Sequence, residues 1–478
     1  MHLGTARARH LVLLLSCALA SALPTAARAA TFDVASGDVA GLIAAIDAAN
    51  ANGEADTIHL AAGTYSLTSG PYGGAGLPAI TTEIALVGAD AATTVIERAP
   101  SGPGGPQFRL LTTSSPAGVR IANLTLHRGT TAVANTGKLK IEDCILSANG
   151  SGVMPGGELE VEGTTITGST SLAYPGAAIV GGLVTVRSSQ IVGNAGIAVQ
   201  NVATLRLLDS LVQGNQYGIV VATGYPSSSS FIEIVRSTID GQSQTGIELR
   251  NFYQDPIVRA VITDSTISNN AGGGIALLGG TENSDKRELV VRRSTISGNS
   301  TTGDGGGIFI EGASVAPGGL AAVTIDSSTI SGNHADGSGG AIFIAGGLRG
   351  GRRLQVIRST ITDNTADADA NGSGDGGGIV TPLRVVDVED SILAGNTDAG
   401  GEAPDCVGAL TSLGHNVLGS TSGCGIAVAA SDTVGAPLLG ALAANGGPTM
   451  THLPLAGSPA LDAADPARCG APDQRGLL

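Results

Sequence analysis

Apolar positions along the middle of the chain recur in short alternating runs, not at helical spacing. The phrase "RSTISGNS" at residues 293–300 returns as "SSTISGNH" at 327–334 and "RSTITDNT" at 358–365. Aligned on its Asn, one column runs Asn149, Ser169, Asn194, Asn215, Gln242, Asn270, Asn299, Asn333, Asn364 and Asn396. The spacing drifts between roughly 20 and 34 residues, a period of solenoids and propellers. Three residues earlier lies an apolar column, Leu146, Ile166, Ile191, Val212, Ile239, Ile267, Ile296, Ile330, Ile361 and Leu393. Five residues before the Asn lies a Ser column from Ser189 to Ser391. An offset of two puts the Ser and apolar columns on one face of a strand.

A second short strand precedes this one, with Val184 and Val186, Ile232 and Ile234, Leu289 and Val291, and Leu354 and Val356. Its phase does not match the Ser–Ile strand, so a bend falls between them. A third strand follows each Asn, at Gly218-Ile219, Gly274-Ile275, Gly307-Ile308 and Gly378-Ile379 among others, with Gly supplying the turn. Three strands per period, separated by turns, describe one coil of a parallel β-helix, with coils about 4.8 Å apart. Equivalent residues then stack, and the Asn column becomes an amide ladder that satisfies buried turn groups. A propeller needs four antiparallel strands and longer blades, which these short rungs disfavour.

Near the N-terminus, Leu42, Ile43, Ile46 and Ala49 form an apolar helix face. Such a helix plugs the open end of a solenoid, and residues 57–60 and 64–67 then begin the first coil. The chain has 73 Gly in 478 residues, but 42% hydrophobic residues provide for a packed core rather than disorder. A net charge of −15 argues against nucleic acid or an anionic membrane as a general partner.

Arg7, Arg9 and His10, the apolar run 11–15 and Ala27-Arg28-Ala29 read as a signal peptide over residues 1–29, cleaved after Ala29. Leu14-Leu15-Ser16-Cys17 offers a lipobox as the alternative. No later run of about 20 apolar residues exists to cross a membrane. Cys144, Cys406, Cys424 and Cys469 remain after cleavage. Export permits disulfides, and Cys406 with Cys424, in one Gly-rich segment, is the expected pair. Cys469 is free or joined elsewhere, since four cysteines allow three connectivities. Cys144 falls in the inward Ser column and is expected to be a buried, inert thiol.

The segments "GNSTTGDGGGIFI" and "GNHADGSGGAIFI" resemble the right-handed parallel β-helix repeats of the pectin-lyase-like superfamily, which includes bacterial surface proteins with Gly-Gly-Ala-Ile repeats. The resemblance covers roughly residues 120–400. It implies an all-β, right-handed parallel β-helix solenoid with a short N-terminal capping helix. "DCVGALTSLGHNVLGSTSGC" at 405–424, then "NGGPTMTHLPLAGSPALDAAD" and "DQRG", resemble the choice-of-anchor Q domain, whose carriers are typically exported and surface-attached. The expected organisation is a signal peptide (1–29), a β-helix with its N-terminal cap (30–399) and a choice-of-anchor-Q-like C-terminal cap (400–478). The sequence stops at Leu477-Leu478 without a hydrophobic sorting tail, which leaves release or truncation open.

Six residues before the Asn column stand Asp209, Arg236, Asp264, Arg293, Ser327, Arg358 and Asp390. Alternating signs on neighbouring coils predict a salt-bridge ladder. The functional alternative is a strip gripping an acidic polysaccharide, with Arg292, Arg293, Arg352, Arg353 and Arg358 as its basic part. The resemblance also implies calcium-dependent lyases, which use a carboxylate-bound cation and an Arg or Lys base. Calcium takes 6–8 oxygens, and Asp304, Asp336 and Asp375 in the Gly-rich turns are the candidate metal ligands, although Asp336 is offset from the other two. The Gly-His-Gly motif of galacturonan hydrolases is missing, and His127, His334 and His415 stand alone. Tyr217, Tyr225, Phe231, Phe252 and Tyr253 gather in two adjacent insertions beside Arg250 and Asp255, where rings could stack on sugar or peptide.

These patterns predict a monomeric, secreted or surface-exposed protein. Its expected role is that of an adhesin or glycan binder, with an extracellular polysaccharide or a host or cell-surface ligand as partner. The predicted ligand contacts are Tyr217, Tyr225, Arg250, Tyr253, Arg293 and Arg358. The competing function is a polysaccharide lyase or glycoside hydrolase working on an acidic polysaccharide through calcium, Asp and Arg.

Overall fold

The computed structural model describes residues 29–101, 105–170, 176–223, 229–251, 257–279, 286–311, 320–346, 354–468 and 470–477. The expected signal peptide lies outside them apart from Ala29, as do Tyr225, Tyr253, Phe252, Asp255, Arg352, Arg353 and Cys469.

A typical coil lays down three strands, one on each of three faces, and the strands of a face pair in parallel from coil to coil; four coils add a short fourth strand, Ser300–Thr301, His334–Ala335, Thr365–Ala366 and Thr397–Asp398, which pair in a sheet of their own. The first face carries Lys138–Glu142, Glu158–Glu162, Leu183–Arg187 and their successors, with Leu139, Leu159, Val184 and Leu205 in register. The second face has fifteen strands, from Gly63–Leu67 to Thr433–Val434, and stacks the predicted apolar column, Leu146 on Ile166 on Ile191 on Val212 on Ile239. The third face carries Ile197–Gln200, Tyr217–Thr223, Ile247–Asn251 and their equivalents. Near the C-terminal end Ile379–Glu389 and Cys406–Gly414 run without a break from the third face into the first face of the next coil, which joins those two faces into one 25-stranded sheet. The inward Ile, Leu and Val of all three faces form one core through the length of the solenoid.

The bend inferred from the phase change is a single residue with left-handed backbone. Asp209, Arg236, Asp264, Arg293, Ser327, Arg358 and Asp390 all have φ between 45° and 52°. The backbone N–H of the inward Ser that follows cannot join a strand ladder, and a buried N–H needs a partner. The next coil supplies it. Ser265 N–H donates to Ser294 Oγ at 3.1 Å, and Ser294 N–H donates to Ser328 Oγ at 3.2 Å. Each hydroxyl in turn donates to the carbonyl two residues before it, as Ser294 does to Arg292 at 2.7 Å. The Asn column forms the second ladder. Asn299 Nδ2 donates to Asn333 Oδ1 at 2.9 Å, and Asn333 Nδ2 to Asn364 Oδ1 at 2.8 Å.

The two ends are finished differently. Helix Val39–Asn52 lies across the first coils with Leu42, Ala45, Ile46 and Ala49 buried; Ile43, expected on that face, is only half-buried against the core. Asp38 caps it by accepting from Gly41 N–H at 2.8 Å, and Gly53 ends it at φ 73°. At the other end the amide ladder stops at Asp405 and the hydroxyl ladder passes through Asn416 to Asp432. The expected Cys406–Cys424 disulfide is formed. Cys144 is buried, and burial pushes its thiol up to about 11. From residue 436 onward the chain leaves the last coil and runs back along the outside of the second face. Gln474 Nε2 reaches Ser294 O at 3.2 Å, Thr329 Oγ1 donates to Gln474 Oε1 at 2.7 Å, and Thr449 Oγ1 donates to Arg293 O at 3.1 Å. Thus 400–434 supplies the closing coils, and the described residues from 436 onward form a strap over earlier ones.

Candidate functional site

The Arg column is occupied by its own carboxylates. Arg236 grips Asp209 through Nε and Nη2 at 2.6 and 2.8 Å, and Arg293 grips Asp264 at 2.7 and 3.0 Å. Where the column carries Ser327, the carboxylate comes from one residue upstream, and Arg358 donates to Asp326 at 2.5 Å. The Arg236 hydrogen bond holds the Asp209 carboxyl below the usual carboxylate range, and the bond to Asp264 raises the Arg293 guanidinium. This is the predicted salt-bridge ladder. Its left-handed backbone sets an opposing effect, because a non-Gly residue there costs about 1 kcal/mol or more. Arg293→Gly is therefore expected to change stability by less than about 1 kcal/mol, since relief of backbone strain offsets a partly exposed ion pair worth about 0–1 kcal/mol. Urea denaturation of the variant checks this, and a loss above about 2 kcal/mol would show that the pair dominates the bend.

Arg250 lies on the third face, with its Nε on the carboxylate of the buried Glu248. Tyr217 is half-buried at the start of the neighbouring strand, and the register places Arg250 opposite Ala222, five residues beyond it. Among the described residues the strongest concentration of chemistry is instead further along the same face. Ile308 and Ile310 point into the core, so Phe309 points out, and Phe343 does the same one coil later. Their rings stack with centroids 5.8 Å apart and planes 12° from parallel, and both are partly exposed. Coil stacking and the shared Ile–Phe–Ile register impose this geometry.

The turn that leads into each of these strands carries the predicted aspartates, but it does not assemble them. Gly305, Gly339 and Gly376 take φ of 73°, 71° and 72°, and the residues before them, Asp304, Ser338 and Asp375, form one column. Asp304 Oδ1 accepts from Ser338 N–H at 2.7 Å, and Ser338 Oγ accepts from Asp375 N–H at 3.1 Å. The middle place belongs to Ser338, and Asp336 is two residues off it. Asp375 is grouped instead with Asp398 and Glu402, whose carboxylate oxygens all lie within 4.8 Å of one another. Asp398 is buried and accepts from the N–H groups of Gly400 and Ala403 at 3.0 and 3.2 Å. Three carboxylates at this spacing could hold a divalent cation, with carbonyls and water completing its 6–8 oxygens. Phe309 and Phe343 were legible in the repeated Ile-Phe-Ile, read for parity. Asp398 and Glu402 were not, because they come from the following coil.

Two other surfaces offer polar concavity. On the first face a groove of about 450 Å³ is lined by Arg120, Lys138, Lys140, Glu158 and Glu160. Its charges neutralise one another, with Arg120 on Glu142 and Lys140 on Glu162 at 2.7 and 2.8 Å. Between the strap and the second face, a cleft of about 370 Å³ is bordered by Arg358, Asp390, His415, His452 and Arg475. His452 is buried there, Nδ1 2.7 Å from Gly440 O and Nε2 2.8 Å from Ser331 Oγ. With Nδ1–H donating to the carbonyl, Nε2 accepts from the hydroxyl, which makes His452 a pin for the strap.

Three faces of parallel strands, two internal polar ladders and outward side-chain columns define a β-helix repeat protein whose turns and outer faces carry its chemistry. The family model for the right-handed β-helix region matches residues 111–288 and 227–435, and the chain belongs to that family. Among solved structures, the A-module of mannuronan C-5 epimerase AlgE6 of Azotobacter vinelandii is similar at 14% identity, covering 83% of this chain and 97% of that one, with a TM-score of 0.49. The catalytic unit of a GH87 alpha-1,3-glucanase from Streptomyces thermodiastaticus strain HF3-3 is similar at 16% identity, covering 83% and 64%, with a TM-score of 0.33. No curated protein matches the chain in sequence.

Proposed function

We propose that the protein is exported and binds an extended extracellular polysaccharide, as a surface or secreted adhesin or glycan binder. One observation carries this reading: the Phe309–Phe343 stack stands on the third face beside the turn column of Asp304, Ser338 and Asp375. A flat apolar platform with carboxylates and hydroxyls along its rim suits a sugar ring, which offers C–H groups on its faces and hydroxyls at its edge. Repetition from coil to coil suits a polymer. Export accords with the N-terminal signal pattern and with a disulfide, which persists in oxidising compartments. No helix among the described residues is long and apolar enough to cross a membrane. Attachment through a choice-of-anchor-Q-like region belongs to the same proposal.

The second reading, a polysaccharide lyase or hydrolase, rests on Asp375, Asp398 and Glu402, whose closeness could hold a cation or set two carboxylates at one bond. A panel of acidic and neutral polysaccharides, with and without calcium, separates the two. Retention without unsaturated uronates or new reducing ends is the expected result. Phe309→Ala and Phe343→Ala should each weaken retention at least about tenfold, as loss of an aromatic anchor does. Product formation abolished by Asp398→Asn would replace the binder with the enzyme.

A further inference from the structure

Terminal repeats of a solenoid need a polar outer side, because the last rung has no neighbour to cover it. The N-terminal end meets this need with its helix. The C-terminal end does not. The last coil reads "GIAVAASDTVG" over residues 425–435. Val428 is 46% exposed and Val434 52%; Leu413 in strand Cys406–Gly414 is 52% exposed and Leu438, where the strap begins, 47%. Residues 425–440 contain a single charge, Asp432. That carboxylate is engaged on Asn416 N–H at 3.0 Å, Ser412 Oγ at 2.6 Å and Ala429 N–H at 2.7 Å. The surface is therefore apolar and nearly uncharged on a chain of net charge −15. Val428 and Val434 stay exposed with the strap in place, because it runs from this end back to Ser294 and Thr329.

The same end carries an open sheet edge. Thr433–Val434 is the last strand of the second face. Thr433 N–H donates to Asn416 O and Gly435 N–H to Leu418 O, both 2.8 Å. Alternation along a strand then directs Val434 N–H and C=O away from the solenoid.

We propose that this end is a docking surface for a second copy of the chain, joined tail to tail about a two-fold axis. Antiparallel pairing across the axis lets Val434 of each copy exchange N–H···O=C bonds with Val434 of the other, while Val428, Leu413 and Leu438 of both copies bury one another. A two-fold joint uses the same patch on both partners and closes at two. Head-to-tail stacking, which would give open filaments, is obstructed by the helix at the N-terminal end. With Asp432 engaged and no other charge in 425–440, two copies of this acidic protein meet least repulsion when they approach through this end.

Sedimentation velocity over a hundredfold concentration range tests this. The expected result is a species of twice the monomer mass that grows no further. Val434→Lys and Val428→Glu should each shift the midpoint of dimerisation at least tenfold upward, with an unchanged far-ultraviolet spectrum. Leu183→Lys, an exposed apolar residue on the first face, should leave it unmoved. Hydrogen exchange supplies a second measurement, with Val434 N–H slowing as concentration rises. A monomer at all concentrations, a dimer indifferent to both end variants, or filaments that lengthen with concentration would each overturn the proposal. A monomer whose end is occupied by another protein would do so too.

Discussion

Replacing Asn333 by leucine is expected to destabilise the protein by about 3–5 kcal/mol, among the largest effects of any single substitution in the array. Asn333 is fully buried. Its Oδ1 accepts from the backbone N–H of Asn299 at 3.1 Å and from Asn299 Nδ2 at 2.9 Å. Its Nδ2 donates to Ile296 O at 3.0 Å and to Asn364 Oδ1 at 2.8 Å. Leucine has a similar volume and removes all four bonds at once. The Asn299 N–H and the Ile296 carbonyl then lie in the core without those partners, each at about 1–3 kcal/mol, and the ladder is cut on both sides. The added apolar surface recovers only part of this, roughly 1–2 kcal/mol. Urea denaturation should show the loss, and hydrogen exchange should localise it to the coils between residues 296 and 364. Gln190→Leu, on the exposed outside of the second face, should stay within about 0.5 kcal/mol. A loss below about 1 kcal/mol at Asn333 would mean that the ladder is ornamental to stability.

Asp405→Asn is the second large effect, expected at about 2–3 kcal/mol from one exchanged atom. From Asn299 to Asn364 each rung accepts from the coil before and donates to the coil after. The final rung has no following amide, so it needs a side chain that only accepts. Asp405 provides this, with Oδ1 taking Asn396 N–H at 3.0 Å and Asn396 Nδ2 at 2.9 Å, and Oδ2 taking Ser420 N–H at 2.6 Å. An amide in its place sets an N–H₂ against a donor on one side or the other. Differential scanning calorimetry should register the change, and faster exchange of the Ser420 amide would place it. If the variant melted with the wild type, the acceptor-only requirement would be wrong. The hydroxyl ladder closes by the same logic at Asp432.

What could be read in the sequence follows from periodicity. Asn, Ser and Ile columns repeat in register, so the three strands, the bend and the amide ladder were visible as a pattern, whereas the Ser column read as a strand position and its hydroxyl ladder came from the structure. The alternation of Asp209, Arg236, Asp264 and Arg293 foretold the pairs Arg236–Asp209 and Arg293–Asp264. Features that break register were hidden. Asp405 lies only nine residues after Asn396, not a full coil, so alignment alone does not mark it as the last rung. Asp326 replaces the missing column acid from one residue away. At the candidate site, the Gly–Ile motif aligns Asp304 and Asp375 with Ser338 and leaves Asp336 out, while Asp398 and Glu402 arrive from the next coil across an unpredictable loop length. The strap has no period at all. Its contacts join residues as far as 180 positions apart, a distance that local patterning does not encode.

The two terminal aspartates also bear on how such a protein changes length between lineages. Because rungs such as Asn299 and Asn333 present the same donors and acceptors above and below, a coil of that kind can be duplicated or deleted without cutting the amide ladder, provided the strap's anchorage is left in place. The finishing residues, by contrast, work at one place only. Gene duplication inside the repeat is thus nearly neutral to folding, and duplication that carries Asp405 or Asp432 inward is not. Variation in size should accumulate in the middle of the solenoid, while its closing coils stay fixed.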